Sequence, residues 1–370
     1  MPSGYSVRKN MTEAEVLFDK RDGVGLITLN RPKAINALNH PMAQAILSTL
    51  REWAVDDEVR TVVLTGAGER GLCAGGDIVA IHTDAKNAVA HGISRHDSAD
   101  SPSGRFWRDE YILNALIGNY PKPYVAVMDG IVMGGGVGLS AHGNRRIVTE
   151  RSMVGMPETG IGFIPDVGGT YLLARTPGEL GTHVALTTAR MGAGDAIAAG
   201  FADYFVPAER IPDLLAELRR TDADAAIAAV AQPAPVSDLA AQRSWIDACY
   251  SADTVEEIVA RLQRHDAPEA AKAAGDVLSK SPVALKVTLR SLRNARAAAN
   301  LEQALDEEYR VSVAALTTHD LVEGIRAQVV DKDRNPQWSP ATLAEVSEAL
   351  VDSYFAGLGD RELGLSGAQE

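Results

Sequence analysis

Cysteine is scarce. The 370 residues hold two, Cys73 and Cys249, far apart in the chain, which argues against a disulfide framework and for a reducing compartment. Histidine is thin too: eight residues, with no H-x-x-x-H pair and no Cys/His cluster of metal-ligand spacing, so no metal site is expected. Positive charge is in deficit. Thirty-six Lys and Arg against 49 Asp and Glu leave a net charge of −13, which argues against nucleic acid or an anionic membrane as a partner. A few local cations would still suffice to hold one phosphate group. No apolar run approaches the roughly 18–20 residues of a membrane span, and the opening stretch MPSGYSVRKNMTEAEVLF has no apolar signal region. A cytoplasmic protein is expected. A G-x-S-x-G elbow is also missing, and Ser140 falls past a run of glycines inside an expected helix, which speaks against a serine hydrolase.

What is present is an ordinary globular composition, 46% hydrophobic and 23% charged, long enough for one large domain and a smaller one. EVLFDKRDGVGLITLN (15–30) reads as two strands about an Asp22-Gly23 turn. Asn39 is placed to cap a helix whose inner stripe is Ile46, Leu47, Leu50 and Trp53. RTVVLTG (60–66), PYVAVMDG (123–130), RRIVTER (145–151) and FADYFVP (201–207) read as further strands, with helices between. That alternation predicts an α/β class with largely parallel pairing. Residues 1–14 are expected to form a tail, 15–230 a core, and 231–370 a mainly helical C-terminal region entered through the linker AQPAPVSD (231–238). The polar segment 82–105, rich in small residues, reads as a mobile loop.

The chemistry-bearing signals are glycines and acids. GAGERG (66–71) fits a dinucleotide fingerprint, but a second glycine turn follows where a long helix should open, so a plain strand-end turn is the better reading. CAGGDI (73–78) and GGGVG (134–138) each end a strand. Such turns leave backbone N–H groups free to face an anion, and two together supply the two donors an oxyanion needs. The plainer account is tight turns with no ligand; if the chemistry is acyl transfer, carboxylates must act as base or nucleophile. GMPETGIGFIPDVGGTY (155–171) keeps two acids, Glu158 and Asp166, in an apolar setting, and buried carboxylates are paired, hydrogen-bonded or retained for chemistry. A plainer account of Asp166 is a helix N-cap. For Glu110, in FWRDEYILNAL (106–116), the plainer account is a solvated helix face; His142 reads as a structural histidine.

ITLNRPKAINALN, GLCAGGDI, VAVMDGIVMGGGVGLS and MPETGIGFIPDVGGTYLL, in that order, resemble the crotonase (enoyl-CoA hydratase/isomerase) superfamily. The resemblance implies a spiral of ββα units, a coenzyme A thioester substrate, and oxyanion donors at the N–H of Gly76 and Gly135. Hydratases of the family look to carry one glutamate two residues past the glycine triplet; here that position is Gly138. Asp166 stands where they commonly have glycine. With RDEYILN, EYRVS (308–312) and HDLVEGIRAQVVDKDRNPQW (319–338), the pattern is similar to the 3-hydroxyisobutyryl-CoA hydrolase branch, whose substrate-site positions fall on Glu110, Gly135, Glu158 and Asp166. The resemblance further implies that Ala74, Asp77 and Ile78 line the pantetheine arm, that Arg31 or Lys33 meets the phosphates, and that coenzyme A arrives as part of the substrate with no separate cofactor. An enoyl-CoA hydratase or isomerase is the alternative, and a non-catalytic acyl-CoA binder a more distant one. A homo-oligomer, trimer or hexamer, is compatible with the family, as is a monomer.

Overall fold

The chain enters through a hairpin. The computed structural model describes residues 14–367, so the expected tail lies almost wholly outside the described residues. β1 (Val16–Arg21) and β2 (Val24–Leu29) pair antiparallel. Asp22 and Gly23 both take positive φ, +55° and +82°, the turn whose twist matches the flanking strands. Seven further strands follow among the described residues: β3 (Thr61–Gly66), β4 (Tyr124–Met128), β5 (Ile131–Met133), β6 (Arg145–Val148), β7 (Met153–Gly155), β8 (Arg190–Met191) and β9 (Tyr204–Phe205). They build two sheets, one in the order β1-β2-β3-β4-β6-β9, parallel from β2 onward, and a small one in the order β5-β7-β8. The continuous apolar run of β4, buried at every residue, suits a parallel strand covered on both faces.

The connectivity places the site. Twice in succession the chain lays one strand in the large sheet and the next in the small one, β4 then β5 and β6 then β7. The turn before does the same in shortened form, since Cys73, after β3, bridges Val132 of β5 in parallel. The result is the expected α/β spiral of ββα units, followed by helices from Asp238 onward. Because successive turns stack, the glycines at 75–76, just after the Cys73 bridge, and at 134–136, just after β5, come side by side.

Asn39 caps the His40–Val55 helix, its side chain accepting from the Met42 N–H, and the expected stripe is buried. Segment 82–105 departs from the expected loop. It is helical over Ile78–His91 and Arg95–Ser98, and the Pro102–Gly118 helix begins inside it. Ile81, Ala85 and Ala88 supply its buried face; alanine is the best helix former, so small residues spaced four and three apart make an inner face as well as large ones do. Gly92 ends the first helix in the left-handed conformation, while Ser94 and Ser101 cap the next two. GAGERG proves to be the turn leaving β3, which ends at Gly66. In the C-terminal region, the Pro282–Ala297 helix packs on the short Gly169–Ala174 helix, and the Leu301–Ala315 helix packs on Pro102–Gly118.

Candidate active site

Gly76 and Gly135 meet at one end of a cavity of about 180 Å³. A Cβ placed on Gly135 would sit 3.3 Å from the Gly76 nitrogen and 2.7 Å from Glu110 Oε1. The backbone conformation is what permits this approach: Gly75 and Gly134 take φ of +110° and +49°, and Gly134 leads directly into the Gly135–Ser140 helix. Among the described residues, neither the Gly76 nor the Gly135 N–H donates to another protein group.

Three acids line the same cavity: Glu110, Glu158 and Asp166. Glu110 is no solvated face charge. It is 2% exposed, on the inner face of the Pro102–Gly118 helix, and its Oε1 has no hydrogen-bond partner. Glu158 opens the short helical turn Glu158–Ile161; its Oε2 is likewise unpartnered, and its Oε1 lies 2.8 Å from where a Gly134 Cβ would stand. Gly162, at φ +73°, then reverses the chain, which brings Asp166 back to the same cavity. The ring of Phe163, in that reversal, stacks on Trp107 at 5.4 Å between centroids, and the two form an apolar wall.

Burial governs the titration of these groups. Desolvation, with the nearby Asp166 charge, holds Glu110 and Glu158 well above the usual carboxylate range. Desolvation raises Asp166 only to about 7, because Tyr111 donates a hydrogen bond that favours its charged form. Of the three, Asp166 is the one with a side-chain donor holding its charged form.

Asp166 is not the N-cap of the helix that follows it. Glu308 takes that place from far along the chain, accepting from the N–H groups of Gly168 at 2.6 Å and Thr170 at 3.0 Å and from the Thr170 hydroxyl. Burial pushes Glu308 up to about 8 against those donors. His142 is structural: its Nε2 donates to the Val167 carbonyl at 2.7 Å, and burial lowers its pKa to about 4, so the ring is neutral.

Of the expected coenzyme-binding positions, Ala74 and Ile78 line the cavity, whereas Asp77 does not. Asp77 pairs with Arg31 at 3.1 Å, and Arg31 also meets Glu15 and the Ala37 carbonyl. Both side chains are engaged by these protein contacts. Lys33 is exposed on the Pro32–Ala34 turn.

Sequence reasoning gave no role to Tyr111, Asn114, Glu308 or Ser312, all buried. The signal was there. Glu110 and Asn114, and again Glu308 and Ser312, stand four residues apart on the inner stripe of a helix, where polar residues need a reason.

The enoyl-CoA hydratase/isomerase family model matches residues 24–355. The chain belongs to that family. A Danio rerio relative named 3-hydroxyisobutyryl-CoA hydrolase, mitochondrial, is 42% identical over 95% of this chain and 92% of its own. A crystal structure titled carnitinyl-CoA dehydratase, from Mycobacterium thermoresistibile, superposes with TM-score 0.89 at 56% identity, covering 95% of this chain and 99% of that one. One titled enoyl-CoA hydratase, from Rhodobacter sphaeroides, gives 0.86 at 44%, over 95% and 99%. The cytoplasmic location expected from composition is overturned by the curated relatives, which are named as mitochondrial. A low cysteine count reports the lack of disulfides and does not single out a compartment.

Proposed function

We propose that the protein hydrolyses a short 3-hydroxyacyl-CoA thioester, 3-hydroxyisobutyryl-CoA, at this cavity. The curated relatives carry that activity in their names, while the two solved structures carry dehydratase and hydratase titles. The observation that decides between them is Gly138. A Cβ there would lie 2.7 Å from the Val167 Cβ and 2.8 Å from Asn114 Nδ2, so the glutamate that hydratases look to carry at this position has no room. The acids that remain, Glu158 and Asp166, come to the cavity from the chain reversal after β7.

In this reading the thioester carbonyl oxygen accepts from the Gly76 and Gly135 N–H groups, which then hold the oxyanion of the tetrahedral intermediate. Asp166, ionised near neutral pH, takes a proton from water as its oxygen bonds to the carbonyl carbon. Collapse breaks the C–S bond, and Glu158, whose protonated form burial favours, gives its proton to the departing thiolate. Proton return from Asp166 to Glu158 resets the site. Glu110 exchanges hydrogen bonds with the 3-hydroxyl, a group able to donate and accept at once. A cavity of about 180 Å³, below the usual 300–1,000 Å³ of ligand pockets, suits a short branched acyl group with the coenzyme outside. Coenzyme A enters as part of the substrate, and these steps call on no other cofactor.

The test is free-thiol release from 3-hydroxyisobutyryl-CoA beside straight-chain and enoyl-CoA esters. Release selective for the branched 3-hydroxy ester is expected. Loss or gain of enoyl absorbance without thiol release would move the protein to the hydratase or isomerase branch.

A further inference from the structure

Two residues outside the cavity converge on Asp166 from behind. Tyr111, on the Pro102–Gly118 helix, donates its phenol proton to Asp166 Oδ2 at 2.7 Å. Ser312, on the Leu301–Ala315 helix, lies 2.7 Å from the same phenol oxygen. The phenol has one proton and the carboxylate takes it, so the serine hydroxyl must be the donor in the second bond. The result is a directed chain, Ser312 to Tyr111 to Asp166, spanning three segments far apart in sequence. All three residues are buried. Asp166 lines the cavity and Tyr111 does not, so Oδ2 is held from the protein side and Oδ1 is the oxygen left to the cavity.

The backbone at this point is strained as well. Val167, the next residue, has φ of +55°, a left-handed conformation that a β-branched side chain strongly disfavours. Such a conformation persists only where its surroundings over-determine it. Here His142 holds the Val167 carbonyl, and Glu308 holds the Gly168 and Thr170 N–H groups. A mere turn would need no such clamp, and a glycine would fit it without strain.

We propose that Tyr111 and Ser312 are positioning residues for the reaction: they fix Asp166 with Oδ1 toward the substrate and set the pH at which it becomes a base. The proposal rests on the hydrolase reading for its kinetic test only. The groups facing Asp166 are Glu110 and Tyr111 from one helix, Glu158 from its own reversal, Glu308 from the Leu301–Ala315 helix, and neutral His142 beyond Val167; no cation is among the groups that shift its titration. The phenol is therefore the main stabiliser of the Asp166 charge.

The experiment compares wild type, Tyr111→Phe, Ser312→Ala and Asp166→Asn. Tyr111→Phe removes one oxygen and keeps the ring that packs edge-on against Tyr309 at 6.2 Å. Loss of a hydrogen bond to a charged group should raise the Asp166 pKa by ~1 unit, so the acid limb of kcat/KM should move up by that amount. Away from the limb, kcat should fall ~10-fold with KM little changed, because the acyl contacts remain. Ser312→Ala should move the limb the same way by less, and it stands as the second variant if Tyr111→Phe does not fold. Infrared difference spectra across pH read the carboxyl without turnover. The band missing in Asp166→Asn should titrate higher in Tyr111→Phe. A band and a limb that stay put in both variants would overturn the proposal. A band that moves in a protein that releases no thiol would keep it and sink the hydrolase reading instead.

Discussion

Replacing Asp166 by asparagine should make the protein more stable at alkaline pH while abolishing its activity. Burial raises the folded-state pKa of this group from its ordinary 3.8 to about 7. Between those values the folded protein binds more protons than the unfolded chain, so stability falls as pH rises through the interval, and the deficit is complete above about 7. At ~1.4 kcal/mol per unit the carboxylate costs on the order of 4 kcal/mol at pH 8. Asparagine keeps the size and can still accept from Tyr111, so most of that cost should be recovered. Unfolding entropy near 2.1 cal/mol/K per residue gives about 0.8 kcal/mol/K for a chain of this length, and thus a Tm gain of about 5 °C at pH 8. At pH 5 the gain should shrink to less than half. Thermal and urea melts of both proteins at the two pH values check this, with thiol release expected to drop at least ~100-fold. An asparagine variant equally stabilised at both pH values, or destabilised at pH 8, would refute the reasoning, because the effect would then not be the charge.

Three further outcomes follow from the same geometry. Gly135→Ala puts a methyl group 2.7 Å from Glu110 Oε1 and 3.3 Å from the Gly76 nitrogen; kcat should fall about 10²–10³-fold, measured as thiol release, with the fold intact by circular dichroism. Gly138→Ala drives a Cβ against Val167 and Asn114 and should cost about 1–3 kcal/mol in urea melts, with no gain of hydratase activity. A single turnover in H₂¹⁸O should place the label in the released acid and none in the protein. Label in Glu158 would show that its carboxylate attacks directly, forming an anhydride that water then opens.

The hairpin, the helix caps and the burial stripes could be read from sequence because each depends on neighbours within a few positions. Asp22-Gly23 and Asn39 are local signals, and they act locally. The 82–105 segment misled for a related reason: its helices bury alanines rather than large side chains, so the apolar contrast that marks a helix face was weak. The site was half legible. The glycine turns and the acids could be named, but that they meet depends on the stacking of successive spiral turns and on the reversal at Gly162. Nothing local reports that Glu308, 142 positions after Asp166, would take the capping role that adjacency suggested for Asp166. Arg31, a cation near a glycine turn, meets Glu15 and Asp77, partners 16 and 46 positions away that its own neighbours do not announce.

Four buried acids within one region would be hard to tolerate if they were all alike, and their hydrogen bonds separate them. Glu308 accepts from three donors, all from the chain segment it caps; both its oxygens are engaged there and it serves the fold. Asp166 accepts from one side-chain donor, Tyr111. Glu110 and Glu158 each keep an oxygen that no protein group meets. An unsatisfied buried polar atom costs about 1–3 kcal/mol, and a family member that merely folded would gain by replacing both glutamates. Their retention makes sense if a ligand supplies the missing partners, and the missing partners must then be able to exchange hydrogen bonds with protonated carboxyls. A hydroxyl and a departing thiolate meet that requirement; the hydrocarbon of a plain acyl chain does not. The same reasoning that assigns Glu308 to structure favours a substrate carrying a polar group close to the thioester.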